Sequence, residues 1–165
     1  MFPDWPPWYS GSLDIFGIQE MVSDPNQRST EIQIDGQGRG FTDITPKISD
    51  WVAGTGIENG LVSVFVRHTS ASLIIQENAD PDILLDLEDF FSRLVPDADA
   101  GGKYRHSQEG PDDMPSHIRS ALTLSQISVP VLDGRLGLGT WQSIFLYEHR
   151  TLPRPRKIVL QVLET

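Results

Sequence analysis

Polar and apolar residues begin to alternate near Thr30, where Ile32 and Ile34 stand among Glu31, Gln33 and Asp35. That period of two predicts a half-buried strand. Gly36, Gly38 and Gly40 then turn the chain. Thr45-Pro46 reads as an N-cap followed by proline at the first helical position. Ile48, Trp51 and Val52 form the apolar stripe of a short helix that ends at Gly54 and Gly56. Residues 61–67 give the clearest strand. Val62, Val64 and Val66 share one face, and His68 is the next residue on that face. A bend at 69–71 leads to a second strand over 73–76. Asp80-Pro81 opens a helix in which Ile83, Leu84, Leu87, Phe90, Phe91 and Leu94 recur at helical spacing, so it should cover the sheet. Pro96 stops it.

Residues 96–113 read as a long polar loop, and such loops inside small domains usually carry function or lack order. A short helix follows Asp113, starting near Pro115 and running to about Leu122. Ile127, Val129 and Val131 alternate again, and Pro130 marks an edge strand or a bulge. Asp133-Gly134 is a hairpin signal. The partner strand is expected over 140–148, with Trp141, Phe145 and Tyr147 on one face and Ile144 and Leu146 on the other. Pro153 and Pro155 break the chain before a last strand over 158–163. The sum is an α+β fold: an antiparallel or mixed sheet with two to three helices. Its 165 residues suit one domain. The domain spans 28–165, and residues 1–27 form an N-terminal extension. Three prolines within the first seven positions bar regular structure there. The extension reads either as a loose tail or as an arm that docks through Trp5 and Trp8.

Charge narrows the functional classes. The formal net charge of −10 opposes a phosphate backbone and argues against nucleic acid as a partner. It does not oppose a small anion in a local pocket, where nearby groups decide. The absence of cysteine removes disulfides, thiolate ligands and a thiol nucleophile. No apolar run is long enough to span a membrane, and the first residues lack the basic start and apolar stretch of a signal peptide. The expectation is a cytoplasmic protein with no membrane partner.

The candidate chemistry centres on four histidines. His68 and His149 end strands, while His106 and His117 bracket the polar loop. A lone histidine on an apolar face is usually a satisfied core residue, but strand ends and loop borders are where sites are built. Imidazole suits zinc and also general acid–base work near neutral pH. The eleven-residue separation of His106 and His117 matches no compact metal motif. Asp112-Asp113 reads as a solvated residue and an N-cap, or as groups that orient a histidine or hold a metal. Asp80 is most simply an N-cap, whereas Glu77 and Asn78 have no evident structural duty. Thr69, Ser70 and Ser72 could donate to an anion beside His68. Gly137-Leu138-Gly139-Thr140-Trp141-Gln142 is either a tight bend or an oxyanion cradle. There is no Gly-x-Ser-x-Gly elbow and no dinucleotide fingerprint.

Three blocks together resemble the YjbQ-like family of secondary thiamine-phosphate synthase enzymes. They are His68-Thr69-Ser70-Ala71-Ser72-Leu73 with Glu77-Asn78 and Asp80-Pro81; Glu109-Gly110-Pro111-Asp112-Asp113-Met114-Pro115-Ser116-His117-Ile118; and Gly139-Thr140-Trp141-Gln142 through Glu148-His149-Arg150. The resemblance runs from about Arg28 to the C-terminus. It implies a homotrimer and a site built from His68, His106, His117 and His149. It also implies joining a pyrimidine diphosphate to a thiazole phosphate with release of pyrophosphate. On this basis His106, His117 and His149 are expected to hold a divalent metal, zinc or magnesium, with zinc favoured where imidazoles dominate. His68, Asp113 and Glu77 are expected to be catalytic. Thr69, Ser70, Ser72, Asn78, Arg105, Thr140 and Gln142 are expected to bind a small phosphorylated metabolite. A departing pyrophosphate needs cations or aligned N–H donors, which the metal with Arg67, Arg105 or Arg150 would supply. The alternatives are a non-catalytic protein that binds a metal or an anionic metabolite, and an assembly protein whose histidines only join subunits.

Overall fold

Period-two patterning becomes eight strands, and period-3.6 patterning becomes three helices, in a computed structural model that describes residues 27–165. The expectations for the N-terminal extension lie outside these residues, apart from Gln27, which opens the first strand. In chain order the elements are β1 (Gln27–Asp35), β2 (Gly40–Asp43), α1 (Thr45–Thr55), β3 (Gly60–Val66), β4 (Ala71–Glu77), α2 (Pro81–Leu94), α3 (Asp113–Leu122), β5 (Gln126–Leu132), β6 (Arg135–Leu136), β7 (Gln142–Glu148) and β8 (Pro155–Glu164). A 3-10 turn at Ala98–Ala100 interrupts the long loop.

The strands divide into two antiparallel sheets, one ordered β1-β8-β3-β5-β6 and one ordered β2-β7-β4. This corrects the expected pairing across Asp133-Gly134. The strand that pairs with β5 there is the two-residue β6, while β7 crosses to the smaller sheet. The turn itself is as expected, with Asp133 at φ 50° and Gly134 at φ 72°, the left-handed pair a tight hairpin needs. Because β6 covers only Val131 and Leu132, most of β5 is an open edge, and Pro130 is tolerated there.

The core lies between the sheets. Val62, Val64 and Val66 of β3, Ile127, Val129 and Val131 of β5, and Ile158, Leu160 and Val162 of β8 point inward. They meet Ile48 and Val52 of α1, Leu73 of β4, and Ile144 and Leu146 of β7. Each such side chain contributes roughly 1.5–3 kcal/mol on burial. β7 is buried on both faces from Ser143 onward, so only half of its pattern is visible as alternation.

Three local expectations change. Thr45 is not a cap: Ile44 holds that position without a side-chain bond, and the Thr45 hydroxyl accepts the Ile144 N–H at 2.8 Å. α3 starts at Asp113 rather than Pro115, with Asp112 at the cap position, and both carboxylates are buried. α2 carries the expected apolar stripe and lies against the smaller sheet through Phe91, 5.5 Å from Tyr147 between ring centroids. It buries none of its residues, however, and Leu85, Phe90 and Leu94 stay exposed.

Four segment ends converge. Val66 pairs with Ile158 and Ala71 pairs with Glu148, which brings the end of β3, the starts of β4 and β8 and the end of β7 to one side. The N-terminus of α3 closes that side.

Candidate functional site

At this convergence lies a cleft of about 700 Å³. Val66 is buried in the core, and two residues later on the same face His68 emerges half-buried at the cleft wall. Its Nε2 accepts the backbone N–H of Lys157 at 2.8 Å. The ring proton must then sit on Nδ1 in the neutral form. Burial first, and then the Arg156 guanidinium, pull the His68 pKa below its ordinary value. At neutral pH the ring is therefore uncharged and offers an Nδ1–H donor.

His117 has its tautomer fixed from the other side. Its Nδ1 lies 3.0 Å from the Thr69 carbonyl, which can only accept. Nδ1 therefore carries a proton, and in the neutral ring Nε2 presents a lone pair. That lone pair faces Asp113 Oδ1 at 3.6 Å, one helical turn back. The other carboxylate oxygen lies 3.2 Å from His106 Nε2. The candidate ligand atoms of His106, Asp113 and His117 all fall within 4.8 Å of one another. Asp113 is almost fully buried at the first position of α3, where the helix dipole favours a carboxylate. It also accepts from the Glu109 N–H at 3.1 Å and from Arg150 Nη1 at 3.2 Å. Two acceptors aimed at each other at this distance repel unless a proton or a cation lies between them.

Arginines line the rest of the cleft. Arg67, Arg150, Arg154 and Arg156 face it, with Glu109 and Asp113 as its carboxylates. Each of the four has a carboxylate within reach: Glu31 for Arg67, Asp112 and Asp113 for Arg150, Glu109 for Arg154 and Glu148 for Arg156. Buried Arg156 is clamped by Glu148, with Nε–Oε2 at 2.5 Å and Nη2–Oε1 at 2.6 Å, and its Nη2 also donates to the Ser70 hydroxyl at 3.1 Å. Arg150 Nη2 donates to the Glu109 carbonyl at 2.7 Å and lies 3.2 Å from Asp112 Oδ1. Burial alone would raise the Asp112 pKa. The N–H and hydroxyl of Thr151, at 2.7 and 2.8 Å, together with Arg150, outweigh burial and hold it below the ordinary value. Asp112 is thus a buried structural anchor for the Arg150 segment, not a solvated residue.

His68, Thr69, Ser70, Asp113 and His117 line the cleft, and His106 joins them through Asp113. His149 does not join them. Its ring is fully buried, with Nε2 2.9 Å from the hydroxyl of Ser72, itself fully buried, and its edge against Tyr147. Burial, then Arg119, Arg156 and Arg39, depress its pKa to about 3. The expectations that His149 ligates a metal with His106 and His117, and that Ser72 touches substrate, are corrected on this geometry. Glu77, Asn78, Thr140 and Gln142 lie at the opposite end of the β4–β7 pair, where Glu77 faces Gln142. Six residue steps along β4 carry the chain from Ala71 to Glu77, about 20 Å of strand. Within one chain, then, Glu77 is not beside His68, and Asn78 bonds instead to the Ser143 hydroxyl at 3.0 Å. Arg105 is exposed next to His106, outside the cleft lining. Sequence reasoning passed over Glu109, Arg154 and Arg156. The run Pro153-Arg154-Pro155-Arg156, two arginines held in extended backbone by prolines, was the available signal.

The family described as UPF0047 protein, YjbQ-like, matches residues 30–165. The chain belongs to the YjbQ-like UPF0047 family. A UPF0047 protein of Synechocystis is 56% identical over 126 residues, covering 76% of this chain and 84% of its own. The UPF0047 protein YjbQ of Salmonella typhimurium is 46% identical over 129 residues, covering 78% and 91%. Among solved structures, a yjbq/upf0047 family protein of Clostridium acetobutylicum superposes with a TM-score of 0.74 at 32% identity, covering 81% of this chain and 99% of that one. A hypothetical protein of Aeropyrum pernix gives 0.75 at 29% identity, covering 84% and 99%. Every cleft residue of this YjbQ-like chain lies inside the matched span. Among the described residues, no helix is long and apolar enough to cross a membrane.

Proposed function

We propose that this YjbQ-like protein is a metal-assisted transferase acting on a small phosphorylated or diphosphorylated compound, of the thiamine-phosphate synthase kind. The observation that carries the reading is the His117 ring. Its Nδ1–H is tied to the Thr69 carbonyl, so the neutral ring presents its Nε2 lone pair beside Asp113 and His106. A ring oriented by a carbonyl behind it is how metal-binding histidines are usually prepared. Two imidazoles and one carboxylate suit zinc better than magnesium, and three protein ligands leave a position open for substrate. When bound, such an ion would act as a Lewis acid toward a phosphoryl oxygen.

The chain's own groups do the rest. Arg150, Arg154 and Arg156 offset the charge of a bound phosphate or diphosphate, and neutral His68 donates its Nδ1–H to an oxygen in the cleft. This role differs from a proton shuttle, because a neutral ring with its Nε2 already engaged has no ready proton to give. In the reaction of the thiamine-phosphate synthase kind, a carbon–oxygen bond of the pyrimidine diphosphate breaks. The thiazole nitrogen forms the new carbon–nitrogen bond, and pyrophosphate leaves with the bonding electron pair.

The protein works as a homotrimer in the cytoplasm on this reading. The exposed Phe90 and Leu94 of α2 support self-association, since they lie one turn apart on one helix face that nothing covers among the described residues. A trimeric mass by light scattering is the expected result, and a monomer at working concentration refutes the assembly. The catalytic test incubates zinc-loaded protein with a pyrimidine diphosphate and a thiazole phosphate. Release of pyrophosphate with formation of thiamine phosphate is expected. Tight binding of either compound without turnover would replace the transferase with a binding protein.

A further inference from the structure

Glu109 is the exposed carboxylate of the cleft, with its side chain 59% accessible, and its Oε2 lies 3.2 Å from Arg150 Nη1 and 3.4 Å from Arg154 Nη2. Its backbone behaves differently from its side chain. The Glu109 N–H donates to buried Asp113 at 3.1 Å, and its carbonyl accepts from buried Arg150 at 2.7 Å. The main chain at this residue is therefore pinned from both sides, while the carboxylate is held by two guanidinium contacts at its solvent edge. A rotation of the side chain alone withdraws this carboxylate from both arginines without moving the backbone that Asp113 and Arg150 hold.

We propose that the guanidinium pair of Arg150 and Arg154 is an anion subsite for a phosphate-bearing ligand, and that the Glu109 carboxylate is its resident counter-ion, displaced when the ligand binds. This rests on the reading of the cleft as a phosphate site and adds where one phosphate goes and what it must displace. Glu109 occupies the pair as a carboxylate would, singly charged and with one oxygen shared by both arginines. A phosphate or diphosphate brings more charge and more acceptor oxygens than a carboxylate and therefore wins the exchange. A ligand with a single carboxylate offers no such advantage over Glu109. The residue thus sets specificity, favouring phosphate over carboxylate at this end of the cleft. Arg150 stays buried and braced by Asp112 and Asp113 throughout, so the subsite keeps its shape when the carboxylate swings out.

The probe is inorganic pyrophosphate titrated calorimetrically into the full chain, with acetate as the carboxylate comparison. Proteins are the unmodified form, Glu109→Gln and Glu109→Asp. Glu109→Gln removes the competing charge, and pyrophosphate should bind roughly two- to fivefold more tightly, the range an exposed ion pair is worth. Glu109→Asp keeps the charge on a shorter arm that cannot reach both arginines, and it too should bind pyrophosphate more tightly. Tightening in Gln but not Asp would mean a general charge effect and would overturn the counter-ion. Equal or weaker affinity in both variants, with the unmodified protein binding measurably, overturns it while the phosphate reading stands. Tighter acetate binding by the unmodified protein than by Glu109→Gln also overturns it. No pyrophosphate binding by any of the three proteins overturns the subsite and the phosphate reading beneath it.

Discussion

Acid should weaken this protein through His149 well before its carboxylates titrate. The ring is fully buried, bonded through Nε2 to Ser72, and its pKa is depressed to about 3. In the unfolded chain the same group titrates near 6.5. A depressed histidine stabilises the fold fully above the unfolded pKa. That stability is lost as pH falls from about 6.5 toward the folded value, because only the unfolded chain takes up the proton. Each pH unit inside the window costs about 1.4 kcal/mol, and the fall from pH 7 to pH 5 integrates to about 2 kcal/mol. Asp112 also has a lowered pKa, but its contribution is lost only below the ordinary carboxylate range, outside this window. The assay is urea unfolding at pH 7 and pH 5 of the unmodified protein and His149→Gln. The glutamine amide can still reach Ser72 and does not titrate. The unmodified protein should lose about 2 kcal/mol more than the variant between the two pH values. Equal losses in the two proteins would refute the buried neutral ring as the cause.

Two further outcomes follow from the cleft. His68→Ala should lower turnover about a hundred- to a thousandfold, the worth of a positioned donor to developing charge, with an unchanged melting temperature. A parallel fall in both would make the residue structural. Glu148→Gln strands the buried Arg156 charge and should cost about 3–5 kcal/mol in denaturant unfolding, as breaking one side of a buried pair does. A loss below 1 kcal/mol would show Arg156 to be solvated.

The strands were legible because β3, β5 and β8 bury one face each, so Val62, Val64 and Val66, and Ile158, Leu160 and Val162, leave a clean period of two. β7 has apolar residues facing both ways, and nothing local says which sheet it enters; that is settled by pairing with β2 and β4, about 70 and more residues away. The histidines show the same limit. His68 could be placed at a cleft because it extends the face of Val66. His149 follows a strand in the same way, yet its face turns inward against Tyr147 and Ser72. Asp112 and Asp113 could not be seen as buried, because Arg150 and Thr151, which compensate their charge, lie 37 to 39 residues further on. Glu77 looked close to His68 in sequence, but an extended strand carries the chain straight away from its start.

On the proposed function, His106, Asp113 and His117, and not His149, hold a divalent metal at the arginine-lined cleft. The most direct test is zinc content after equilibration with zinc and removal of the loose metal, measured per chain in four proteins: unmodified, His106→Ala, His117→Ala and His149→Gln. One zinc per chain is expected in the unmodified protein and in His149→Gln, with loss of that zinc in both alanine variants. An unmodified protein that retains no zinc, or alanine variants that retain it in full, would remove these three residues as a metal site.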